Sequence, residues 1–247
     1  MRVKKEHLEL DNGHIRDFFR ARAGKYKEAN PYAVTMYQDE HPELVKQRDE
    51  REKAKLLPLL GLDKDSRVLD LACGIGRWAD AVADKVGLYL GIDFSAELVS
   101  IAEKRINVPN VRFRVGAATE LDAVLAPDEQ FNRVLIVGLL MYLNDDGVQR
   151  CARTLEKHCD QGTVICIREP LGIDARFTLK DHFSPELNAT YNAVYRTRDE
   201  LVALLAPALL SNGFTIGHEG FLFGDQVLNN RKETSQYFFI LENTPHS

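Results

Sequence analysis

The stretch VLDLACGIGRWA, residues 68–79, decides how the rest of the chain is read. Val68 to Leu71 is apolar except for Asp70, the pattern of a strand buried on both faces. Gly74, Gly76 and Ala79 then satisfy G-x-G-x-x-G/A, directly after the strand and across the start of a helix predicted over 77–86. Such a turn brings backbone N–H groups close to a ligand at a helix start. Asp93 closes the next apolar run, 88–92, where a carboxylate accepts from ribose hydroxyls.

Two ligand chemistries fit this pattern: a dinucleotide such as NAD, or S-adenosylmethionine. Asp70 separates them. It stands at the C-terminal end of the strand, beside the glycine loop. A dinucleotide presents a doubly negative pyrophosphate there, which a carboxylate repels. S-adenosylmethionine presents a sulfonium and an α-ammonium, which a carboxylate attracts. A third reading, a tight strand-to-helix turn with no ligand, remains.

Further along, the texture alternates. Strands are predicted over 88–92, 111–115, 131–137 and 163–168, with helices over 95–106 and 145–158 between them and Ser95 as an N-cap. This order predicts a parallel sheet covered on both faces. At Glu169 the alternation breaks, and residues 169–196 read as an insertion. A helix over 198–210 follows, then strands over 214–223 and 235–242 that suit an antiparallel pair. The expected fold is α/β: a Rossmann-like, seven-stranded, mostly parallel sheet with a C-terminal antiparallel hairpin and helices on both faces. Residues 1–65 are charged and read as an N-terminal helical cap, with Leu44, Gln47, Arg51, Ala54 and Leu57 near helical spacing and Gly61 as a stop. Residues 66–247 form the ligand-binding domain.

Composition narrows the class. The 247 residues include 32 Lys+Arg and 37 Asp+Glu, a net charge of −5, and are 45% hydrophobic and 28% charged. These are ordinary globular values, and the acidic balance argues against a polyanion partner such as nucleic acid. Cys73, Cys151, Cys159 and Cys166 are too few for a disulfide scaffold and lack zinc spacing, so free thiols, no metal and a cytoplasmic setting are expected. The first residues lack the apolar core of a signal peptide, and the ten-residue apolar run 134–143 is too short to span a bilayer. No membrane association is expected.

VLDLACGIGRW, followed by GIDFS, VRFRVGAATEL and FNRVLIVGLLMYLNDD, resembles the class I S-adenosylmethionine-dependent methyltransferases. The motifs cover about residues 66–168, and element order extends the likeness to the rest. The resemblance implies that Asp70, Ala72, Gly74 and Gly76 line the methionine end of S-adenosylmethionine. It implies that Asp93 holds the ribose, that Phe94 lies against the adenine, and that Ala117 and Ala118 sit at the adenine edge. Val137 and Gly138 would face the methionine part. Two positions depart from the usual pattern: Ala72 stands where many members have Gly, and Ala117 where many have an Asp that bonds the adenine amino group. A softer likeness, over 36–78 and YNAVYRTRDEL at 191–201, is to small-molecule methyltransferases of surface-saccharide and natural-product clusters. It implies a small polar acceptor.

The reaction so implied needs alignment and, for a hydroxyl or ammonium acceptor, a proton acceptor. Candidates beyond the strand ends are Tyr142, Glu169, His182 and Tyr195, with Tyr191 sharing a helix face with Tyr195. Each has a plainer reading: Tyr142 as packing, Glu169 as a partner of Arg168 or Arg196, His182 as a loop surface residue, and the tyrosine pair as packing. In the cap, Arg16, Arg20 and Arg22 with Phe18, Phe19 and Tyr26 read as a lid, with Arg22 or Lys25 facing an anionic acceptor. Residues 1–66 hold 14 basic and 13 acidic side chains, too balanced for a nucleic-acid arm. Asn30-Pro31-Tyr32 is similar to the Asn-Pro-Pro-Tyr element of amino-group DNA methyltransferases but lies upstream of every predicted strand, so it reads as a turn. The leading expectation is methyl transfer to an O or N atom of a small polar molecule, with a sugar or natural-product intermediate as the leading class. An NAD-dependent reductase and a non-catalytic cofactor-binding partner are the alternatives.

Overall fold

The computed structural model describes residues 2–4, 7–37, 41–184, 187–224, 228–229 and 232–243. Along them run β1 (Arg2–Lys4), α1 (Asn12–Ala23), α2 (Ala33–Met36), α3 (Pro42–Leu56), β2 (Arg67–Leu71), α4 (Ala79–Val82), β3 (Leu88–Asp93), α5 (Ala96–Arg105), β4 (Val111–Val115) and β5 (Phe131–Val137). Then come α6 (Asp145–Glu156), β6 (Cys159–Gly172), β7 (Phe177–Ser184), β8 (Ala189–Tyr195), α7 (Arg198–Leu205), β9 (Phe214–Phe221) and β10 (Thr234–Asn243).

Seven strands form one sheet in the order β4-β3-β2-β5-β6-β10-β9. The first five pair in parallel, and β10 lies antiparallel to both β6 and β9. The expected seven-stranded sheet with its antiparallel end is therefore what forms. Side chains alternate across it. Leu69, Leu71, Ile136 and Ile167 pack on one face with α6 and α7. Val68, Tyr89, Leu135 and Cys166 pack on the other with Leu56 of α3 and Trp78, Ala79 and Val82. Asp70 has the parity of Val68, so it ends β2 on the α3 side.

Four local expectations are corrected. The helix predicted over 77–86 is only Ala79–Val82. Asn110 Nδ2 donates to the carbonyls of Ala83 and Val86 (2.8 and 2.9 Å), drawing them out of the helical ladder. The cap is not wholly helical, because β1 pairs with β7. The insertion is neither loop nor helix. β6 runs on to Gly172, and β7 and β8 form a hairpin in a second, three-stranded sheet, so Tyr191 and Tyr195 share a strand face rather than a helix face. Arg176 and Arg196, at the two ends of that hairpin, both bond Asp145 at the start of α6 and anchor the insertion. Finally, α3 turns Val45, Arg48, Asp49, Glu52 and Leu56 inward, while Gln47, Arg51 and Ala54 are exposed. The inward stripe keeps helical spacing but carries charge, because it faces arginines.

Candidate active site

A cavity of about 610 Å³ opens over the C-terminal ends of the parallel strands, where open α/β sheets bind ligands. Its first wall is the glycine loop. Gly74 (φ +56°) and Gly76 (φ +78°) take left-handed conformations. A Cβ at Gly74 would sit 2.8 Å from Thr35 of α2, so the cap lies directly on the loop. A Cβ at Gly76 would meet Ile106 at 2.8 Å and Phe113 at 3.0 Å. Gly76 lies behind the cavity wall and sets the turn, whereas Asp70, Ala72 and Gly74 line the cavity. Ala72 is also left-handed (φ +62°), the conformation that makes glycine the easier residue there.

Asp93 organises this wall. Its Oδ2 accepts from the Gly74 N–H and its Oδ1 from the Ser95 N–H, both at 2.9 Å. Each oxygen keeps a lone pair for a ligand hydroxyl. Burial pushes its carboxyl up to about 6 against the pull of these two bonds. Asp70 accepts from the Tyr89 hydroxyl, and burial pushes it up to about 7. Phe94, Ala117, Ala118, Val137 and Gly138 line the same space. Thr119 and Glu120 join them and bring polar groups to the edge that lacks an acid at Ala117.

At the other end the cavity is aromatic and hydroxylic. Tyr37, at the end of α2, bonds Tyr142 hydroxyl to hydroxyl at 2.5 Å. Tyr142 meets Tyr191 at 3.4 Å, and Tyr191 meets Tyr195 at 3.1 Å. Burial holds Tyr37, Tyr142 and Tyr191 above the ordinary phenol range, so they are neutral. Phe19 of α1 packs edge-on against both Phe94 and Tyr142, joining the two ends under the cap.

The floor on the α3 side is ionic. Glu52 bonds both Arg77 (2.7 Å) and Arg168. Asp49 bonds Arg77 (2.6 Å) and Lys53 (2.8 Å). Arg168 Nη1 donates to Gln236 Oε1 at 3.1 Å. The attraction of the two arginines holds Glu52 below the usual carboxylate range despite its burial.

Residues 68–162 match a family model described as a methyltransferase domain. The chain is 30% identical over 143 residues to the uncharacterized methyltransferase YcgJ of Bacillus subtilis, covering 55% of this chain and 49% of that one. It is 29% identical over 125 residues to phosphoethanolamine N-methyltransferase 3 of Arabidopsis thaliana, covering 49% of this chain and 25% of that one. These alignments span half or less of each relative's length. The fold also matches phosphoethanolamine N-methyltransferase 1 of Haemonchus contortus, solved with phosphoethanolamine and S-adenosylhomocysteine. The TM-score is 0.71 at 18% identity, over 94% of this chain and 49% of that one. Residues 68–162 carry a methyltransferase domain.

In this methyltransferase domain, the family that uses S-adenosylmethionine, nine of the ten residues expected to contact cofactor line one cavity. The residues expected to act on the acceptor divide. Tyr142 and Tyr195 line the cavity; Glu169 and His182 do not. Glu169 pairs with neither Arg168 nor Arg196. It accepts from the backbone N–H groups of Leu139 (2.8 Å), Leu140 (2.8 Å) and Met141 (3.2 Å). It thereby holds the loop that carries Tyr142. His182 is half-buried on β7, in register with Tyr191. Arg22 and Lys25 do not line the cavity either. Arg22 donates to the carbonyls of Ala33 and Val34 and lies over the Tyr37 ring, and Lys25 donates to the Leu187 carbonyl. Arg16 does line the cavity.

Sequence reasoning missed Tyr37 and the α3 acids. Tyr37 lies 105 residues from its hydroxyl partner, with no local motif around it. The acids did leave a signal: Asp49, Glu52 and Leu56 repeat at helical spacing with Val45.

Proposed function

We propose that this chain transfers the methyl group of S-adenosylmethionine to an oxygen or nitrogen atom of a small polar molecule. The observation that carries the reading is the continuity of the cavity, from Asp93 and Phe94 past Asp70 and Gly138 to the tyrosine hydroxyls. S-adenosylmethionine supplies a methyl group already activated on a sulfonium. The residues suit it: Asp93 offers oxygens for ribose, and Asp70 a carboxylate beside a cationic centre. A dinucleotide fits less well. The Gly74 N–H that would meet a pyrophosphate is already given to Asp93, and Asp70 stands opposed to that charge.

Gly138, left-handed at φ +71°, keeps the wall beside the methyl path free of a side chain. Tyr142 stands just beyond it, one of four linked hydroxyls, between those of Tyr37 and Tyr191. The neutral phenols of this network hydrogen-bond the acceptor atom and relay its proton, each accepting one as it releases its own, with bulk water at the cavity mouth as the final proton acceptor. Phe19, Tyr37 and Tyr142 shield the acceptor from water. The size supports a small acceptor, since about 300–1,000 Å³ is the usual range for small-ligand sites. Phosphoethanolamine, the substrate named for the Arabidopsis relative, indicates an amine with an anionic arm. The sugar and natural-product hydroxyls expected from sequence are the other class.

Calorimetry with S-adenosylhomocysteine and with NADH tests the cofactor. Binding of the first alone is expected; binding of NADH alone selects a reductase. A panel of small amines and hydroxyl compounds, read by mass for a gain of one methyl, tests the reaction. Tyr142→Phe is expected to lower turnover about 10²-fold with S-adenosylhomocysteine affinity unchanged. Full turnover in that variant removes the tyrosine network from the chemistry. No transfer across the panel despite tight cofactor binding favours the non-catalytic reading.

A further inference from the structure

We infer that Arg168 and Arg77 hold the carboxylate of the cofactor's amino-acid end, so that with Asp70 they make a cradle for a zwitterion. The inference rests on the cofactor reading above and assigns residues that no comparison assigns.

Three observations carry it. The first is position. Asp70, Val137 and Arg168 lie on three neighbouring strands, β2, β5 and β6, on one face of the sheet, with Arg168 in register with Val137 and Asp70 in register with Leu135, two residues earlier on β5. Asp70 and Arg168 are thus two strand spacings across and two residues along, about 12 Å between backbones, a gap that their side chains shorten. An α-amino acid bonded at both ends by charge-assisted hydrogen bonds spans about 8–9 Å. Gly138 lies between them: a Cβ there would be 3.4 Å from Arg168 Nη1.

The second observation is charge. Asp49 and Lys53 cancel. Glu52, 1% exposed, is shared by two arginines and neutralises only one. Within this cluster Lys53, Arg77 and Arg168 face Asp49 and Glu52, an excess of one positive charge, and a buried cation calls for a counter-charge. A ligand carboxylate balances it, as a ligand ammonium balances Asp70.

The third is unused donors. The described bonds of Arg77 use Nη1, and those of Arg168 use Nε and Nη1. Nη2 of each donates to no described residue. Trp78, 2% exposed and lining the same cavity, has an indole N–H with no partner among the described residues. The Arg77 guanidinium lies 5.4 Å from its ring centroid. A buried donor such as the Trp78 N–H is normally satisfied, and Trp78, Arg77 and Arg168 all line the same cavity.

The test compares three probes by calorimetry: S-adenosylmethionine, its decarboxylated analogue, and 5′-methylthioadenosine, which lacks the whole amino-acid end. The wild type is expected to bind S-adenosylmethionine roughly 10- to 100-fold more tightly than the decarboxylated analogue. Arg168→Met is expected to bring that ratio to within about threefold while 5′-methylthioadenosine affinity stays level. Arg168→Lys, which keeps the charge and its reach to Glu52, is expected to retain most of the ratio. A ratio near one in the wild type overturns the inference without any variant. So does an unchanged ratio in Arg168→Met. If no adenosyl probe binds the wild type, the cofactor reading itself fails, which is a different result.

Discussion

Glu169 offers the sharpest test of how the site is built. Its carboxylate is 2% exposed and accepts three consecutive backbone N–H groups from the loop after β5. Glu169→Gln keeps one carbonyl oxygen. That oxygen still serves Leu139 and Leu140, which both bond Oε1. The amide NH₂ then faces the Met141 N–H, donor against donor. The loss is one hydrogen bond to a charged acceptor, about 1.5–3 kcal/mol. Burial also raises the Glu169 pKa, so removing the charge returns part of its desolvation cost and brings the expected loss to about 1–2 kcal/mol. Glu169→Ala orphans all three N–H groups and leaves a void, for about 3–5 kcal/mol. Urea unfolding gives the two stabilities, and amide hydrogen exchange reads the loop. The expected order is wild type, then Gln, then Ala, with faster exchange at 139–141 in both variants. A Gln variant within 0.5 kcal/mol of wild type, with those amides still protected, refutes the claim that this carboxylate holds the loop.

Further outcomes follow from the same geometry. Asp70 and Asp93, raised to about 7 and about 6, have native pKa values above their unfolded ones. They therefore make the apoprotein lose stability as pH rises from about 4 to 7, which thermal unfolding across that range checks. A cationic ligand favours their ionised forms, so S-adenosylmethionine affinity is expected to rise between pH 5 and 8 with proton release, read by calorimetry in two buffers of different ionisation heat. Ala72→Gly relieves a left-handed alanine (φ +62°) and is expected to raise Tm by a few degrees, about 1 kcal/mol at most; an unchanged or lower Tm counts against strain there. Gly76→Ala combines a left-handed position with a 2.8 Å clash on Ile106. A loss of about 2–4 kcal/mol by urea unfolding is expected.

The sheet was legible because its signals are local. Each parallel strand is a short apolar run ended by turn residues, and Gly74, Gly76 and Asp93 lie within twenty residues of one another. The cavity wall from Asp70 to Gly138 was legible for the same reason. Tyr142 was found by its place after β5, but its partners were not, because Tyr37, Tyr191 and Tyr195 reach it from a cap helix and a separate hairpin. The α3 stripe misled in a different way. The stripe read from the sequence was Leu44, Gln47, Arg51, Ala54 and Leu57, whereas the helix buries Asp49 and Glu52 to meet Arg77 and Arg168. Glu169 misled because an acid past a strand end reads as a base; three backbone bonds make it a brace instead.

That division bears on where specificity resides. The family match spans residues 68–162. It begins after Tyr37, Asp49 and Glu52 and ends before Arg168, Tyr191 and Tyr195, so most of the tyrosine wall and all of the ionic floor but Arg77 lie outside it. The outer segments are not loosely attached. Thr35 lies on Gly74, Asp49 and Glu52 grip Arg77, and Arg176 and Arg196 grip Asp145. Cap and insertion are thus bonded to the glycine loop and to the start of α6, beside the cavity. A substitution that changes which acceptor is taken will therefore fall among residues 12–56 or 168–196, and it will be tolerated only where these ties to the glycine loop and α6 survive.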